Sequence, residues 1–138
     1  MTSTLVDSNV LIDIYQPGTQ WYDWSSERIK LARLDGDLII NSIIASEVAA
    51  EFVTAAKFDK ALAPNLWRRE VIPLMACFRA GSAHREYRQK GGGRERTLPD
   101  FLVGAHAEAS GHRILTRDAR RYRSYFPGVE IIAPDTHP

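Results

Sequence analysis

Cysteine occurs only once in this chain, at Cys77. A single thiol rules out a disulfide framework and a thiolate zinc cluster, and it fits a reducing compartment. Its neighbours Leu74, Met75, Ala76 and Phe78 make a buried structural thiol the expectation. No apolar run approaches the roughly 20 residues that a membrane span requires. The opening Met1-Thr2-Ser3-Thr4 lacks the basic residues that begin a signal peptide, so the expected location is the cytoplasm. Net charge is also nearly absent, at +1. That total argues neither for nor against a nucleic-acid partner, although basic residues crowd positions 79–96 and 113–123. The four histidines show no metal-ligand spacing and read as surface or packing residues. No G-x-S-x-G elbow is present. Gly91-Gly92-Gly93 follows a helical stretch and lacks the G-K-[ST] ending of a phosphate cradle.

What remains is an ordinary globular composition, 44% hydrophobic and 25% charged over 138 residues, which suits one domain with a real core. Short apolar runs at 4–7, 37–40, 71–74, 113–116 and 129–132 read as strands. Between them, helices are expected at 10–15 with Asn9 as cap, 21–34, 43–56, 58–67 with a restart at Pro64, 75–90, 99–110 and 119–125. Strands alternating with helices predict a single α/β domain over residues 1–133, with a mainly parallel sheet of about five strands. A frayed tail is expected over 134–138.

Four acids stand where such a sheet presents its C-terminal edge, the edge at which ligands bind. Asp7 ends the first strand. Glu47 lies early in the helix after the second strand, Asp100 follows Pro99 at a helix start, and Asp118 follows the fourth strand. Each also fits a local role. Asp7 could be a turn acid, Glu47 and Asp100 could complement helix dipoles, and Asp118 could be an N-cap. Glu51, four residues after Glu47, shares nearly the same helix side. Asn9 and Thr116 are placed to support Asp7 and Asp118. Four close carboxylates would repel one another unless a cation joins them. All-oxygen ligands favour Mg²⁺ or Mn²⁺, and phosphodiester hydrolysis is the chemistry such a centre suits. Arg117, Arg120 and Arg121 lie beside Asp118 as candidate RNA contacts. Arg85, Arg88, Lys90, Arg94 and Arg96 with Tyr87 form a second candidate basic face. A phosphoacceptor receiver domain would need a lysine at the end of a late strand, and no lysine follows Lys90.

Four segments in order, Leu5-Val6-Asp7-Ser8-Asn9, Ile43 to Val48, Leu98 to Ala107 and Ile114 to Tyr122, resemble the motifs of PIN-domain ribonucleases. Specifically, they are similar to the VapC toxins of type II toxin–antitoxin systems, over essentially the whole chain. The resemblance implies a small PIN fold and an Mg²⁺- or Mn²⁺-dependent endoribonuclease with Asp7, Glu47, Asp100 and Asp118 as its acidic site. It also implies a VapB-like antitoxin partner and a homodimer. A PIN domain that binds RNA or a partner without cutting is the alternative. Glu51 departs from the small or neutral residue expected at its position.

Overall fold

The computed structural model describes all residues, 1–138. Five strands form one sheet: β1 (Thr4–Val6), β2 (Leu38–Ile40), β3 (Trp67–Arg69), β4 (Arg113–Leu115) and β5 (Ile131–Ile132). Their spatial order is β3-β2-β1-β4-β5, and every neighbouring pair is parallel. β1, β2 and β5 are buried along their whole length, as expected for parallel strands covered by helices on both faces. Six helices provide that cover: α1 (Ser8–Tyr15), α2 (Tyr22–Asp35), α3 (Ser42–Ala49), α4 (Ala55–Ala61), α5 (Leu74–Gln89) and α6 (Leu98–Ser110). A 3-10 turn spans Ala119–Arg121.

The strand order reverses between β1 and β4, because the chain builds β2 and β3 on one side and then crosses over. Such a switch point opens a crevice at the C-terminal strand ends. Val6 pairs with Leu115, so the next residues, Asp7 and Thr116, emerge side by side.

Four expected elements differ, and the first is the helix over 119–125, which is reduced to the 3-10 turn. The third strand is Trp67–Arg69, not 71–74. As an edge strand it needs only one buried anchor, and Trp67 (2% exposed) supplies it, while Val71 and Leu74 are 88% and 82% exposed. The long helix expected over 43–56 stops at Ala49. Thr54 then accepts from Lys57 N–H at 3.3 Å and caps α4, so the helix over 58–67 is also displaced to earlier residues. Phe52, freed from helical geometry, packs edge-on against Tyr15 and Phe58. Asn9 is not the cap of α1. Asp7 is, accepting from Ser8 N–H at 2.8 Å.

The C-terminal tail is tied down. Trp24 donates its indole N–H to the His137 carbonyl at 2.8 Å, and Arg123 pairs with Asp135. Cys77 is only half-buried.

α6 approaches the last segment closely because Gly104 lacks a side chain. A Cβ there would lie 2.3 Å from the buried Phe126 ring. Gly104→Ala is therefore expected to destabilise the fold by about 1–3 kcal/mol through overpacking, read as a lower urea midpoint at unchanged slope. An unchanged midpoint would mean that the ring moves aside freely.

Candidate active site

Asp7 is the most enclosed of the four acids, 1% exposed. Its Oδ1 accepts from Ser8 N–H at 2.8 Å. Its Oδ2 accepts from the Thr116 hydroxyl at 2.9 Å and the Tyr122 hydroxyl at 2.7 Å. Burial pushes its carboxyl pKa up, against the pull of those donors and of Arg121. Tyr122 is itself fully buried, and burial beside Asp7 raises its pKa well above the ordinary phenol value, so it stays a donor.

Glu47 accepts from the Ser8 hydroxyl at 3.1 Å, which links the start of α1 to α3. Its pKa is raised by burial of the carboxyl and by the negative charges of Asp7 and Asp100, with Ser8 and Arg121 opposing. Asp100 divides its two oxygens. Oδ2 accepts from Thr97 N–H at 3.0 Å in a capping box, which fixes the start of α6. Oδ1 faces Arg121 Nη1 at 3.6 Å. Asp118 faces the same guanidinium, at 3.4 Å from Nε, and also Arg120 at 3.2 Å. It stands at the cap position of the 3-10 turn but makes no side-chain cap bond.

Arg121 pairs directly with Asp100 and Asp118, and its charge also reaches Asp7 and Glu47. Burial works against the charge of this half-buried guanidinium, and Asp100, Asp7 and Asp118 outweigh it, raising its pKa. Asn9 and Thr116 form the scaffold. Asn9 donates to Thr116 Oγ1 at 3.3 Å and accepts from Arg117 N–H at 3.1 Å, while Thr116 Oγ1 accepts from Asp118 N–H at 3.0 Å. Glu51 stays outside, exposed and held by Gln16 at 3.2 Å.

The arginines divide. Arg120 projects into solvent, with 87% of its side chain exposed. Arg117 is occupied: Nε lies 2.8 Å from the buried Asp13, held by charge without an aligned hydrogen bond, and its guanidinium lies over Trp21. Tyr87 is buried, so it offers no stacking face, and Arg96 lies over it. A polar cleft of about 520 Å³ borders the centre, lined by Asn9, Trp21, Arg117, Asp118, Arg120 and Arg121.

Two features were not legible in the sequence. Tyr122 reads as a packing residue, because nothing local links it to an acid 115 positions away. His106 and His112 are neither surface nor plain packing residues. Both are buried, and both meet Glu70, at 3.1 and 2.7 Å. Burial lowers the His106 pKa against the pull of Glu70. Burial likewise pushes Glu70 up, but the two imidazoles overcome it and leave the carboxyl below its usual value. This cluster is distinct from the four acids.

No helix is long and apolar enough to cross a membrane. No curated protein matches the chain by sequence. Solved structures match its fold along nearly its full length. VapBC2 from Rickettsia felis, bound to a DNA fragment from its promoter, aligns at TM-score 0.73 and 15% identity, covering 96% of this chain and 98% of that one. FitAcB from Neisseria gonorrhoeae aligns at 0.73 and 17%, covering 98% and 99%. VapC20 from Mycobacterium tuberculosis, a toxin that cleaves the sarcin–ricin loop, aligns at 0.59 and 10%, covering 91% and 94%. The PIN domain model matches residues 4–126, nearly all of the sheet and the whole acidic centre. This chain belongs to the PIN domain family.

Proposed function

We propose that this protein is a metal-dependent endoribonuclease, the toxin of a VapBC-type toxin–antitoxin pair. One observation supports the reading: the charges of Asp7, Glu47, Asp100 and Asp118, from four separate stretches, are felt by one another or by Arg121 near the switch point of the sheet. The donor set fits a hard divalent cation, since it consists of carboxylate oxygens with no thiolate or imidazole. Asp7, Glu47, Asp100 and Asp118 would hold Mg²⁺ or Mn²⁺. When bound, the ion supplies an acidified water and neutralises charge on the phosphate.

The chain's own residues do the rest. Thr116 and Tyr122 orient Asp7 through its Oδ2, and Ser8 orients Glu47. Arg121 balances the acids, and Arg120 extends into the polar cleft where a phosphate backbone would run. The similar toxin–antitoxin complexes support a VapB-like antitoxin as partner. A homodimer and a cytoplasmic location complete the proposal.

The test is cleavage of a mixed pool of structured RNAs by purified protein with Mg²⁺, Mn²⁺ or EDTA. Cutting that requires metal and is lost in Asp100→Asn is expected. A folded protein that cuts nothing under any metal would favour the binding-only alternative. Glu47→Gln is expected to weaken Mn²⁺ binding and cleavage at least about tenfold, while Glu51→Gln leaves both unchanged. Equal losses in calorimetry and cleavage would place Glu51 in the site.

A further inference from the structure

Away from the four acids, three side chains from separate stretches meet. Glu70 follows β3, His106 lies six residues beyond Asp100 on α6, about 9 Å along the helix axis, and His112 precedes β4. Glu70 Oε1 is 3.1 Å from His106 Nε2 and 2.7 Å from His112 Nε2, and the candidate ligand atoms all lie within 4.8 Å of one another. The two imidazoles are 0% and 6% exposed, and the Glu70 side chain is 20% exposed. We propose that Glu70, His106 and His112 form a second cation site, taking a transition-metal ion of the Zn²⁺ class and separate from the carboxylate centre.

Two imidazoles with one carboxylate suit Zn²⁺ and not Mg²⁺, which prefers oxygen ligands alone. A tetrahedral Zn²⁺ site keeps its ligand atoms about 3.3 Å apart. The two Glu70–imidazole spacings need only a small opening to reach that. A cleft of about 330 Å³ between α3, α4 and β3, lined in part by Asn41 and Glu70, borders the Glu70 side of the cluster.

The outer partners set the cost of binding. In the metal-free protein each Nε2–H donates to Glu70. His112 Nδ1 accepts from the Ser3 hydroxyl and His106 Nδ1 accepts from Asn41 Nδ2 at 3.0 Å. Asn41 is fixed this way round because its Oδ1 accepts from Ile44 N–H and caps α3. A cation at Nε2 requires each ring proton to sit on Nδ1 instead, with no net proton gained or lost. Ser3 accommodates that by turning its hydroxyl. Asn41 must turn its amide over and release the cap. It is therefore a brake on binding, and an aspartate at that position removes the brake, since one oxygen caps Ile44 while the other accepts from His106 Nδ1–H.

The experiment uses untagged, metal-stripped protein carrying Asp100→Asn to weaken the carboxylate centre. It reads Zn²⁺ binding by calorimetry, the visible spectrum of bound Co²⁺, and the thermal midpoint. One equivalent of Zn²⁺ is expected, with a midpoint that rises with free Zn²⁺ and not with Mg²⁺. His112→Gln, which keeps an N–H for Glu70, should lose at least about tenfold in Zn²⁺ affinity, and Asn41→Asp should gain about tenfold. Zn²⁺ binding that is indifferent to both substitutions would overturn the site. So would an absence of binding both with Asn41 in place and in the Asn41→Asp variant, which would leave a closed hydrogen-bond network. Midpoints of each variant without metal establish that it is folded. RNA cleavage plays no part in this test, so its outcome is independent of the proposed function.

Discussion

Asp7→Asn is expected to lower RNA cleavage by on the order of 10³-fold or more while leaving the fold intact. The substitution preserves shape. An asparagine at this cap position can still accept from Ser8 N–H, and the Tyr122 hydroxyl can turn to accept from its amide. What is lost is the charge that a cation needs. The stability of the metal-free protein should move in the opposite direction. Burial raises the Asp7 pKa in the fold, so the ionised carboxylate costs stability at neutral pH. That cost disappears as the pH falls through the folded value. Without metal, Asp7→Asn should therefore be at least as stable as the parent at neutral pH, with the advantage shrinking toward acid. Adding Mn²⁺ should raise the parent's thermal midpoint more than the variant's. An active Asp7→Asn protein, or one stabilised by Mn²⁺ as much as the parent, would remove Asp7 from the site.

Reversing charge at Arg121 and at Arg120 should give two different results, although the residues are adjacent. Arg121→Glu takes the shared cation from among the acids and puts a fifth acid in its place. The ion pairs to Asp100 and Asp118 are part-buried, with the Arg121 side chain 33% exposed, so the loss should fall between that of surface and buried pairs, at about 2 kcal/mol. Cleavage should be lost with it. Arg120→Glu, at 87% exposure, should leave stability and the metal requirement unchanged. It should weaken RNA binding and reduce the dependence of log affinity on log salt by about one to two. Urea midpoints and salt titrations of RNA binding separate the cases. If the two variants behaved alike, Arg121 would be an RNA contact and not part of the acidic centre.

Much of this was legible along the chain. Asp7, Asp100 and Asp118 each follow a short apolar strand or a Pro-led helix start, and local physics explains such placements. A buried parallel strand is an unbroken apolar run, and its end must be polar. Helix starts attract acids in the same way, and Asp100 both caps α6 and faces Arg121 because a carboxylate has two oxygens. Elements defined by weak or exposed patterns were harder to read. β3 is Trp-Arg-Arg, an edge strand recognised by its backbone pairing to β2 and not by its composition. α3 ends early because Thr54 begins a new helix, a signal that the apolar periodicity of Ile44, Val48 and Phe52 conceals.

The α/β class, the parallel sheet and the four acids in their order can be read from the residues alone, because each depends on short-range patterns of apolar and polar side chains. Which groups meet was settled by packing. Tyr122 reaches Asp7 across 115 positions, Arg121 settles among acids from distant stretches, and Arg117 is spent on Asp13. Glu70, His106 and His112 come together with no spacing to announce them. Such contacts arise when separate elements pack on one sheet. Their partners are fixed by strand order and helix placement, which no local pattern of residues encodes.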